Sequence, residues 1–383
     1  MKFCVIGPTY PFRGGIAHYT TLLVHHLRQH HEVFFYSYRR QYPQWLFPGN
    51  TAADPSTVPL VEPCERTIDA LNPISWWQTA DQVVRVKPDV LLLQWWTPFW
   101  LPLLLVVSFL ARRARIPILY LCHQLIEPDS SRVEWWMARL ALGFGDGVVV
   151  VSKRDYEMAR RALRGRSVRL GHHPVYDGFP RCRLSRGEAR QRLGFEPNER
   201  LLLFFGFVRR YKGLHYLLEA LARVSDPVHL IVAGEFWESE NIYRRQIEQL
   251  ELQKSVTLHN RYIPNEEIEP YFVAADALVL PYLNGSQSGV SMIALYYGLP
   301  VIATRVGGLG ETVVNDETGL TVPPADSAAL AAAITRYFTQ NLSEPFGAKI
   351  AQTRDRLSWQ ALIEIIEELS RDISIPAGTQ RAS

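Results

Sequence analysis

Two cations stand three positions apart in a glycine-bounded loop near the middle of the chain. The apolar run Leu201–Phe205 is followed by GFVRRYKG at residues 206–213, and then by a helical pattern. An arginine can chelate phosphate oxygens in a fork, and a lysine adds a point charge. Arg209 and Lys212 therefore favour a diphosphate site over the alternative, a solvated basic turn.

A second anion-binding pattern lies at residues 285–290, which read GSQSGV between a predicted strand and a predicted helix. A helix N-terminus offers free backbone N–H groups and the positive end of the helix dipole. We expect Ser288 to cap this helix with its side chain. Phosphate binding is assigned to five residues of this segment: Ser286, Gln287, Ser288, Gly289 and Val290.

Other candidates also follow predicted strands. Gly14 and Gly15 precede a helix and would let the backbone approach a ligand, although a plain turn is an equal alternative. His123 follows an apolar run directly, and a core histidine is its alternative. Glu235 could accept a hydrogen bond from a ribose or sugar hydroxyl, or merely hold the basic loop in place.

Two series of alternating strands and helices would position these residues. Continuous apolar runs are typical of parallel strands that are covered on both faces, and the repeated β-α order predicts two doubly wound α/β sheets. Ligands of such sheets bind beyond the carboxyl ends of the strands. The predicted strands are Phe3–Ile6, Val33–Tyr36, Val90–Leu93, Ile118–Leu121, Val148–Val151, Leu201–Phe205, His229–Ala233, Val256–Leu258, Ala277–Leu280 and Val301–Ala303.

A loop rich in proline, glycine and arginine at residues 174–186 marks the join between the two sheets. The predicted domains are residues 1–178 and residues 179–356. Residues 357–383 form a last amphipathic helix, which could pack back on the first domain, and a tail.

Composition excludes several classes of protein. The 383 residues carry 41 basic and 38 acidic side chains, a formal charge of +3, which argues against a dedicated nucleic-acid binder. The four cysteines show no C-x-x-C spacing, so a zinc site or a disulfide framework is not expected. The longest apolar stretch, Thr97–Ala111, is shorter than the roughly 20 residues that span a bilayer. We expect a cytoplasmic protein.

The order of motifs from residue 206 to residue 324 resembles the retaining nucleotide-sugar glycosyltransferases of family 4, also called group 1. The matching positions are Gly206, Lys212, Gly213, Glu235, Gly298, Pro300, Thr304, Gly307, Gly308, Glu311, Gly319 and Pro323. The resemblance implies the GT-B fold of two facing Rossmann-like domains. It also implies a nucleotide-diphosphate-sugar donor on the C-terminal domain, an acceptor held mainly by the N-terminal domain, retention at the anomeric carbon, and neither an essential metal nor a cofactor.

The chain departs from the family pattern at three positions. The usual E-x7-E pair before G-x-P falls on Gly285 and Ile293, so both acids are missing, and the usual arginine after the first glycine is Phe207. The phosphate role is therefore assigned to Arg209. A branch of such transferases with S-Q-S-G and G-F-x-R-x-Y-K-G patterns is similar here.

The resemblance gives the candidates their roles. Arg209 and Lys212 would neutralise the departing diphosphate, and His123 would contact the donor sugar or the acceptor. The expected function is transfer of a sugar to a glycan or lipid-linked acceptor. The alternatives are another GT-B enzyme, such as a nucleotide-sugar epimerase or a phosphorylase, and a catalytically silent nucleotide-sugar-binding protein.

The first half also suggests a membrane partner. Eight of the ten tryptophans precede residue 140, and residues 1–180 hold 20 basic and 14 acidic side chains. The segment from Trp100 to Arg115 joins an apolar stretch to three arginines, as interfacial proteins do. We expect it to dock on an anionic membrane at the inner face, and a buried helix with a basic end is the alternative.

Overall fold

The computed structural model describes residues 1–43, 45, 53–126, 131–179, 184–285 and 287–374. The chain divides into two compact units. The N-terminal domain comprises Met1–Asp54, Leu60–Pro174 and Leu357–Ser383. The C-terminal domain comprises Val175–Arg356 together with the short segment Pro55–Pro59.

The N-terminal domain is built on a seven-stranded sheet in which every pairing is parallel, in the order β3-β2-β1-β4-β5-β6-β7. Cys4 of the central strand lies opposite Phe34 on one side and Leu91 on the other. The strands are β1 (Lys2–Ile6), β2 (Glu32–Arg40), β3 (Glu65–Asp69), β4 (Val90–Trp95), β5 (Ile118–Cys122), β6 (Gly147–Val150) and β7 (Ser167–Leu170).

Helices connect and cover these strands. They are α1 (Gly15–Arg28), α2 (Pro73–Val86), α3 (Leu101–Arg113), α4 (Arg132–Gly143) and α5 (Lys153–Ala162), and the domain also includes α14 (Trp359–Ser374). A complete capping box starts α4, because Ser131 and Glu134 satisfy each other's backbone N–H groups. The last helix packs on α1, β6 and β7, with Leu369 against Gly147 and Trp359 against Tyr19.

The C-terminal domain repeats the design with six parallel strands in the order β10-β9-β8-β11-β12-β13. Its strands are β8 (Leu201–Phe205), β9 (His229–Ala233), β10 (Val256–His259), β11 (Ala277–Leu280), β12 (Val301–Thr304) and β13 (Gly319–Val322). Its helices are α6 (Arg186–Leu193), α7 (Leu214–Leu221), α8 (Glu240–Gln249), α9 (Ile268–Ala274), α10 (Gly289–Tyr297), α11 (Leu309–Thr312), α12 (Ser327–Thr339) and α13 (Ser343–Arg356).

The predicted fold class of two Rossmann-like doubly wound domains is confirmed. Each of the ten predicted strands coincides with an observed strand to within a few residues. Three strands escaped prediction: β3, β7 and β13. All three lie at sheet edges, where one side lacks a neighbouring strand, so their sequences (ERTID, SVRL and GLTV) lack a continuous apolar run.

The segment from Trp100 to Arg115 folds as the buried helix that was the alternative to membrane docking. Trp100 is only 2% exposed and packs on Tyr38 with ring centroids 4.4 Å apart. Leu103, Leu104 and Val107 of α3 are buried, whereas Phe109 and the arginines at the end of the helix are exposed. Docking through Trp100 is therefore wrong. Within the part of the chain that the structure describes, no helix is long and apolar enough to span a membrane.

Candidate functional site

The topology of the C-terminal sheet changes direction between β8 and β11, which is where open parallel sheets bind ligands. The loops that leave these two strands touch each other. A Cβ on Gly213, whose φ is +73°, would overlap the carbonyl oxygen of Pro281. The N–H of Leu283 donates to the carbonyl of Tyr211 over 2.7 Å. The basic loop after β8 is therefore fixed against the loop after β11.

Lys212 is buried in this corner, with 8% of its surface exposed. A Cβ placed on Gly206 would lie 3.3 Å from Lys212 Nζ and 3.4 Å from Val290 Cγ2. The ammonium group also stands 5.6 Å from the centre of the Tyr282 ring. Burial, and then the nearby charge of Arg209, lower the pKa of Lys212 to about 8. Lys212 thus holds a partly desolvated cation beside the start of α10.

Arg209 lies at the surface of the same loop and rests on aromatic rings. Its guanidinium carbon is 5.1 Å from the centre of the Tyr211 ring and 5.3 Å from that of Trp237. Trp237 in turn packs on Phe207, with centroids 4.4 Å apart. The structure brings Arg209 and Lys212 together, close enough for one charge to lower the pKa of the other. The pair can neutralise a ligand that carries more than one negative charge.

The start of α10 supplies the other side of this corner. Ser288 is the N-cap residue, yet its side chain makes no capping hydrogen bond, so the expected cap is wrong. Its hydroxyl instead lies 3.3 Å from that of Tyr282, which competes for it. Gly289 packs against the ring of Tyr176, where an added Cβ would lie 3.2 Å from the hydroxyl oxygen.

The other residues of segment 285–290 have different surroundings. Gln287 Oε1 accepts a hydrogen bond from the Thr312 hydroxyl at 3.4 Å, which links it to α11. Val290 flanks Gly206, as described above. Ser286 lies outside the described residues. Gly285 and Ile293 occupy the positions of the missing acids, and Ile293 is buried within α10.

Glu235 is buried and is joined to the basic loop through the backbone. Its carbonyl accepts a hydrogen bond from the N–H of Val208 at 2.9 Å. The preceding Gly234, at φ +155°, packs so tightly that a Cβ there would overlap the carbonyl of Gly206. Glu235 therefore belongs to the same corner as Arg209 and Lys212.

The N-terminal domain has an equivalent switch between β1 and β4. Gly7, just after β1, lies so close to Gln94 of β4 that a Cβ on the glycine would overlap the amide nitrogen. Gln94 Oε1 accepts from the hydroxyl of Thr20 at 3.0 Å and from His123 Nε2 at 2.8 Å. The ends of β1, β4 and β5 thus meet at one point.

His123 is 6% exposed and is held as a neutral imidazole. Burial, with a smaller effect of His173, lowers the pKa of His123 to about 3. Because Gln94 Oε1 only accepts, the proton of the ring is on Nε2, and Nδ1 is left as an acceptor. The Tyr19 ring packs on the imidazole in a T-shaped arrangement, with ring centroids 4.5 Å apart. Among the described residues, Nδ1 has no hydrogen-bond partner.

Gly14 and Gly15 lie at the N-terminus of α1 in the same domain as His123. Gly14 has φ +113°, a conformation that favours glycine, and no atom lies within 4 Å of a Cβ placed there. There is therefore open space beside the start of α1. The helix carries Tyr19 and Thr20, so it links these glycines to His123.

Three residues that hold these sites were not predicted: Gln94, Tyr176 and Tyr282. Gln94 could have been found, because it is the one polar residue in the otherwise apolar strand VLLLQW. Tyr176 is distant in sequence from Gly289, which it contacts. Tyr282 is close in sequence to Ser288, but no pattern in the sequence indicates their contact.

Comparison with known proteins identifies both halves of the chain. Residues 13–175 match the family described as Glycosyltransferase Family 4, and residues 199–340 match Glycosyl transferases group 1. Together these two matches span most of the chain.

Individual relatives agree with this result. The chain is 32% identical over 293 residues to a D-inositol 3-phosphate glycosyltransferase of Geodermatophilus obscurus, covering 67% of this chain and 62% of the relative. It is 32% identical over 161 residues to the D-rhamnosyltransferase WbpZ of Pseudomonas aeruginosa, covering 40% and 39%. The chain thus spans less than two thirds of the length of these relatives.

Solved structures support the fold. The crystal structure of Anabaena HepE in complex with UDP aligns with a TM-score of 0.74 at 20% identity, covering 97% of this chain and all of that one. This likeness establishes the GT-B fold, which is that of two Rossmann-like domains.

A depressed pKa at His123 predicts a pH-dependent stability. The folded protein keeps this ring neutral down to about pH 3, whereas the unfolded chain protonates it near pH 6.5. The unfolded state therefore binds more protons below pH 6.5, and the free energy of unfolding falls as pH drops through that window. From pH 8 to pH 5 we expect His123 to contribute a loss of about 2 kcal/mol.

Urea unfolding of His123→Gln at pH 8 and pH 5 measures this contribution. The variant should lose about 2 kcal/mol less than the unsubstituted protein over that interval. His30→Gln, at an exposed histidine of the same domain, is the control. An equal loss in the unsubstituted protein and in His123→Gln would show that His123 is not held neutral.

Proposed function

Because the chain belongs to the group 1, family 4 glycosyltransferases, we propose that it transfers a sugar from a nucleotide-diphosphate-sugar donor to a glycan or lipid-linked acceptor. The observation that carries this proposal is the buried Lys212 ammonium, set between Gly206 and the start of α10 and beside Arg209. Two cations and a helix N-terminus suit a diphosphate. The relatives named above are glycosyltransferases, which supports the reaction class.

The proposed chemistry uses the cations on the leaving group. As the bond between the anomeric carbon and the diphosphate oxygen breaks, negative charge builds on the diphosphate. Arg209, Lys212 and the first amides of α10 neutralise that charge. Preorganised donors aimed at developing charge are usually the largest catalytic contribution.

Retention of configuration is part of the proposal. The acceptor hydroxyl attacks the anomeric carbon on the face from which the diphosphate departs, and its proton passes to a phosphate oxygen of the leaving group. This front-face step needs no carboxylate nucleophile. His123 Nδ1, a neutral acceptor, would take a hydrogen bond from a sugar hydroxyl, and Glu235 from a ribose or sugar hydroxyl. No cofactor takes part.

The proposed acceptor is a class of molecule, and that class determines where the enzyme acts. The glycosyltransferase relatives differ in what their names say they act on, so we propose only a glycan or lipid-linked acceptor. A lipid-linked acceptor would place the enzyme at the inner face of a membrane, as a peripheral protein.

A second candidate function rests on the missing acids. Gly285 and Ile293 stand where family members carry glutamates, which favours a protein that binds a nucleotide sugar without transferring it. Release of nucleotide from the donor, measured with and without acceptor glycans, separates the two functions. We expect one of the UDP-, GDP- or ADP-sugars to raise the unfolding temperature and to be turned over. Binding without release would favour the silent protein, and neither binding nor release would refute both.

Replacing either Arg209 or Lys212 should strongly slow sugar transfer. We expect Lys212→Ala and Arg209→Ala to lower kcat/KM by about 100- to 1,000-fold, because each removes charge stabilisation from the leaving diphosphate. Since the pKa of Lys212 is about 8, kcat/KM of the unsubstituted enzyme should also fall above pH 8 as the free enzyme loses this charge.

Arg210→Ala is the matched control, because Arg210 is an exposed arginine of the same loop. Steady-state kinetics on folded variants decide the matter. The assignment fails if Lys212→Ala and Arg209→Ala stay within threefold of the unsubstituted enzyme, or if Arg210→Ala is equally impaired.

Transfer should also survive a chelator. Within the residues that the structure describes, no group of three His, Cys, Asp or Glu side chains is arranged to hold a metal ion. We expect the two cations to do what Mg²⁺ does elsewhere. Rates measured in excess EDTA should equal those without it. Loss of activity that Mg²⁺ or Mn²⁺ restores would show that the enzyme needs a metal.

A further inference from the structure

The helix α4 exposes an apolar face that the N-terminal domain leaves uncovered. Val133, Trp136 and Leu140 lie at helical spacing on one side and are 66%, 62% and 49% exposed. The opposite side packs into the core through Ala138 and Leu142. An exposed patch of large apolar side chains on a folded domain marks an interaction surface.

The end of α3 extends this patch. A groove of about 400 Å³ runs between the two helices and is lined by Arg112, Trp136, Arg139, Leu140, Gly143 and Phe144. Arg112 donates a hydrogen bond to the carbonyl of Phe144 at 3.4 Å, which ties α3 to the end of α4. Phe109, three residues before Arg112 in α3, is 47% exposed. We call the exposed residues of α4 and of the end of α3 the α3–α4 surface.

Arginines surround the apolar side chains of this surface. Arg139 stands over the Trp136 ring at 5.1 Å, and Arg113 over the Phe109 ring at 5.9 Å. Both arrangements leave the guanidinium accessible beside an apolar group. The full set of arginines on the surface is Arg112, Arg113, Arg115, Arg132 and Arg139.

These arginines lack carboxylate partners among the residues that the structure describes. In the described part of the chain none of the five forms an ion pair with a carboxylate, whereas Arg40 pairs with Asp69 and Arg200 with Asp226. Two carboxylates of this region that the structure describes, Glu134 and Asp146, are engaged elsewhere. Glu134 caps its own helix through Ser131. Asp146 accepts from the N–H of Ile118 and pairs with Arg166.

We propose that the α3–α4 surface binds the headgroups of anionic phospholipids, with Trp136 and Leu140 inserted at the boundary of the acyl chains. Tryptophan is favoured at that boundary, and arginine beside it meets the phosphates. A second copy of the chain fits worse, because two such surfaces would bring ten arginines together. A nucleic acid would leave the exposed valine, tryptophan and leucine without an apolar partner.

This inference deepens the proposed function, since it names the surface by which the enzyme would lie on a membrane, and its test is separate from the test of transfer. Binding to vesicles needs neither donor nor acceptor. A failure to bind lipid would leave the transfer reaction untouched, and a failure to transfer sugar would leave lipid binding untouched.

Co-sedimentation of the full chain with vesicles tests the proposal. We expect binding to vesicles of equal parts phosphatidylglycerol and phosphatidylcholine at low salt, and little binding to phosphatidylcholine alone. Each arginine near an anionic surface is worth about 1 kcal/mol, or roughly fivefold in partitioning. Arg112→Ser with Arg139→Ser should therefore weaken partitioning by roughly 25-fold. Trp136→Ser should weaken it as well, by removing the apolar anchor.

Matched controls come from the C-terminal domain. Arg223→Ser with Arg245→Ser removes the same charge from exposed positions, and Ile242→Ser removes an exposed apolar side chain of α8. Neither should change partitioning by more than threefold, and unchanged circular dichroism shows that each variant is folded.

Three results would overturn the proposal. In the first, the unsubstituted protein stays in the supernatant with anionic vesicles. In the second, the control pair weakens binding as much as Arg112→Ser with Arg139→Ser does, which would mean that net charge alone acts. In the third, sedimentation equilibrium shows a dimer that Trp136→Ser dissociates, which would make this a self-association surface.

Discussion

The C-terminal site depends on two places where backbone meets backbone with no room for a side chain. Gly213 lies against the carbonyl of Pro281, and Gly234 lies against the carbonyl of Gly206. The first contact fixes the end of the basic loop to the loop after β11, and the second fixes the start of the basic loop to the residue that follows β9. A loop held at both ends keeps its cations in place before a ligand arrives, which is the condition for electrostatic stabilisation without reorganisation.

Burial shifts the pKa values of Lys212 and His123 in the same direction, with different chemical results. Both Lys212 and His123 are taken out of water, which disfavours their charged forms and lowers both pKa values. The pKa of Lys212 remains above 7, so it is still mainly a cation at neutral pH. The pKa of His123 falls far below 7, so the imidazole is neutral. The same physical effect thus produces a cation for phosphate oxygens and a neutral acceptor for hydroxyl hydrogens.

Much of the fold could be predicted from the sequence, because covered parallel strands are continuous apolar runs. Leu201–Phe205, His229–Ala233 and Ala277–Leu280 were predicted with the bounds that the structure gives them. Three of the four edge strands were missed, since a half-covered strand such as β3 is no longer apolar throughout. The sequence also predicts which residues follow each strand directly, and therefore which residues share a loop.

Side-chain contacts are harder to predict from one sequence, because contacts between distant segments produce no local pattern in it. Ser288 has the residue type and position of a helix cap, yet Tyr282 competes for its hydroxyl. Gln94 and His123 are separated by 29 positions and meet only because β4 and β5 are neighbours in the sheet. The roles of Arg209 and Glu235 remain predictions, supported by their shared corner.

The contrast between α3 and α4 shows why total hydrophobicity is a poor guide to a membrane surface. The stretch Thr97–Ala111 is the most continuously apolar in the chain, and its helix packs into the domain core over most of its length. A helix that is apolar on nearly all sides is most stable when other parts of the protein cover those sides, so such a helix is buried in the core. The less apolar α4 instead separates its buried alanines from an outer face that mixes valine, tryptophan and leucine with arginine. That mixture suits the boundary between acyl chains and charged headgroups, where one half of a side chain is buried and the other half stays in water. The outward periodicity of a helix, and the partners of its charges, therefore carry more information about a lipid surface than the length of its apolar run.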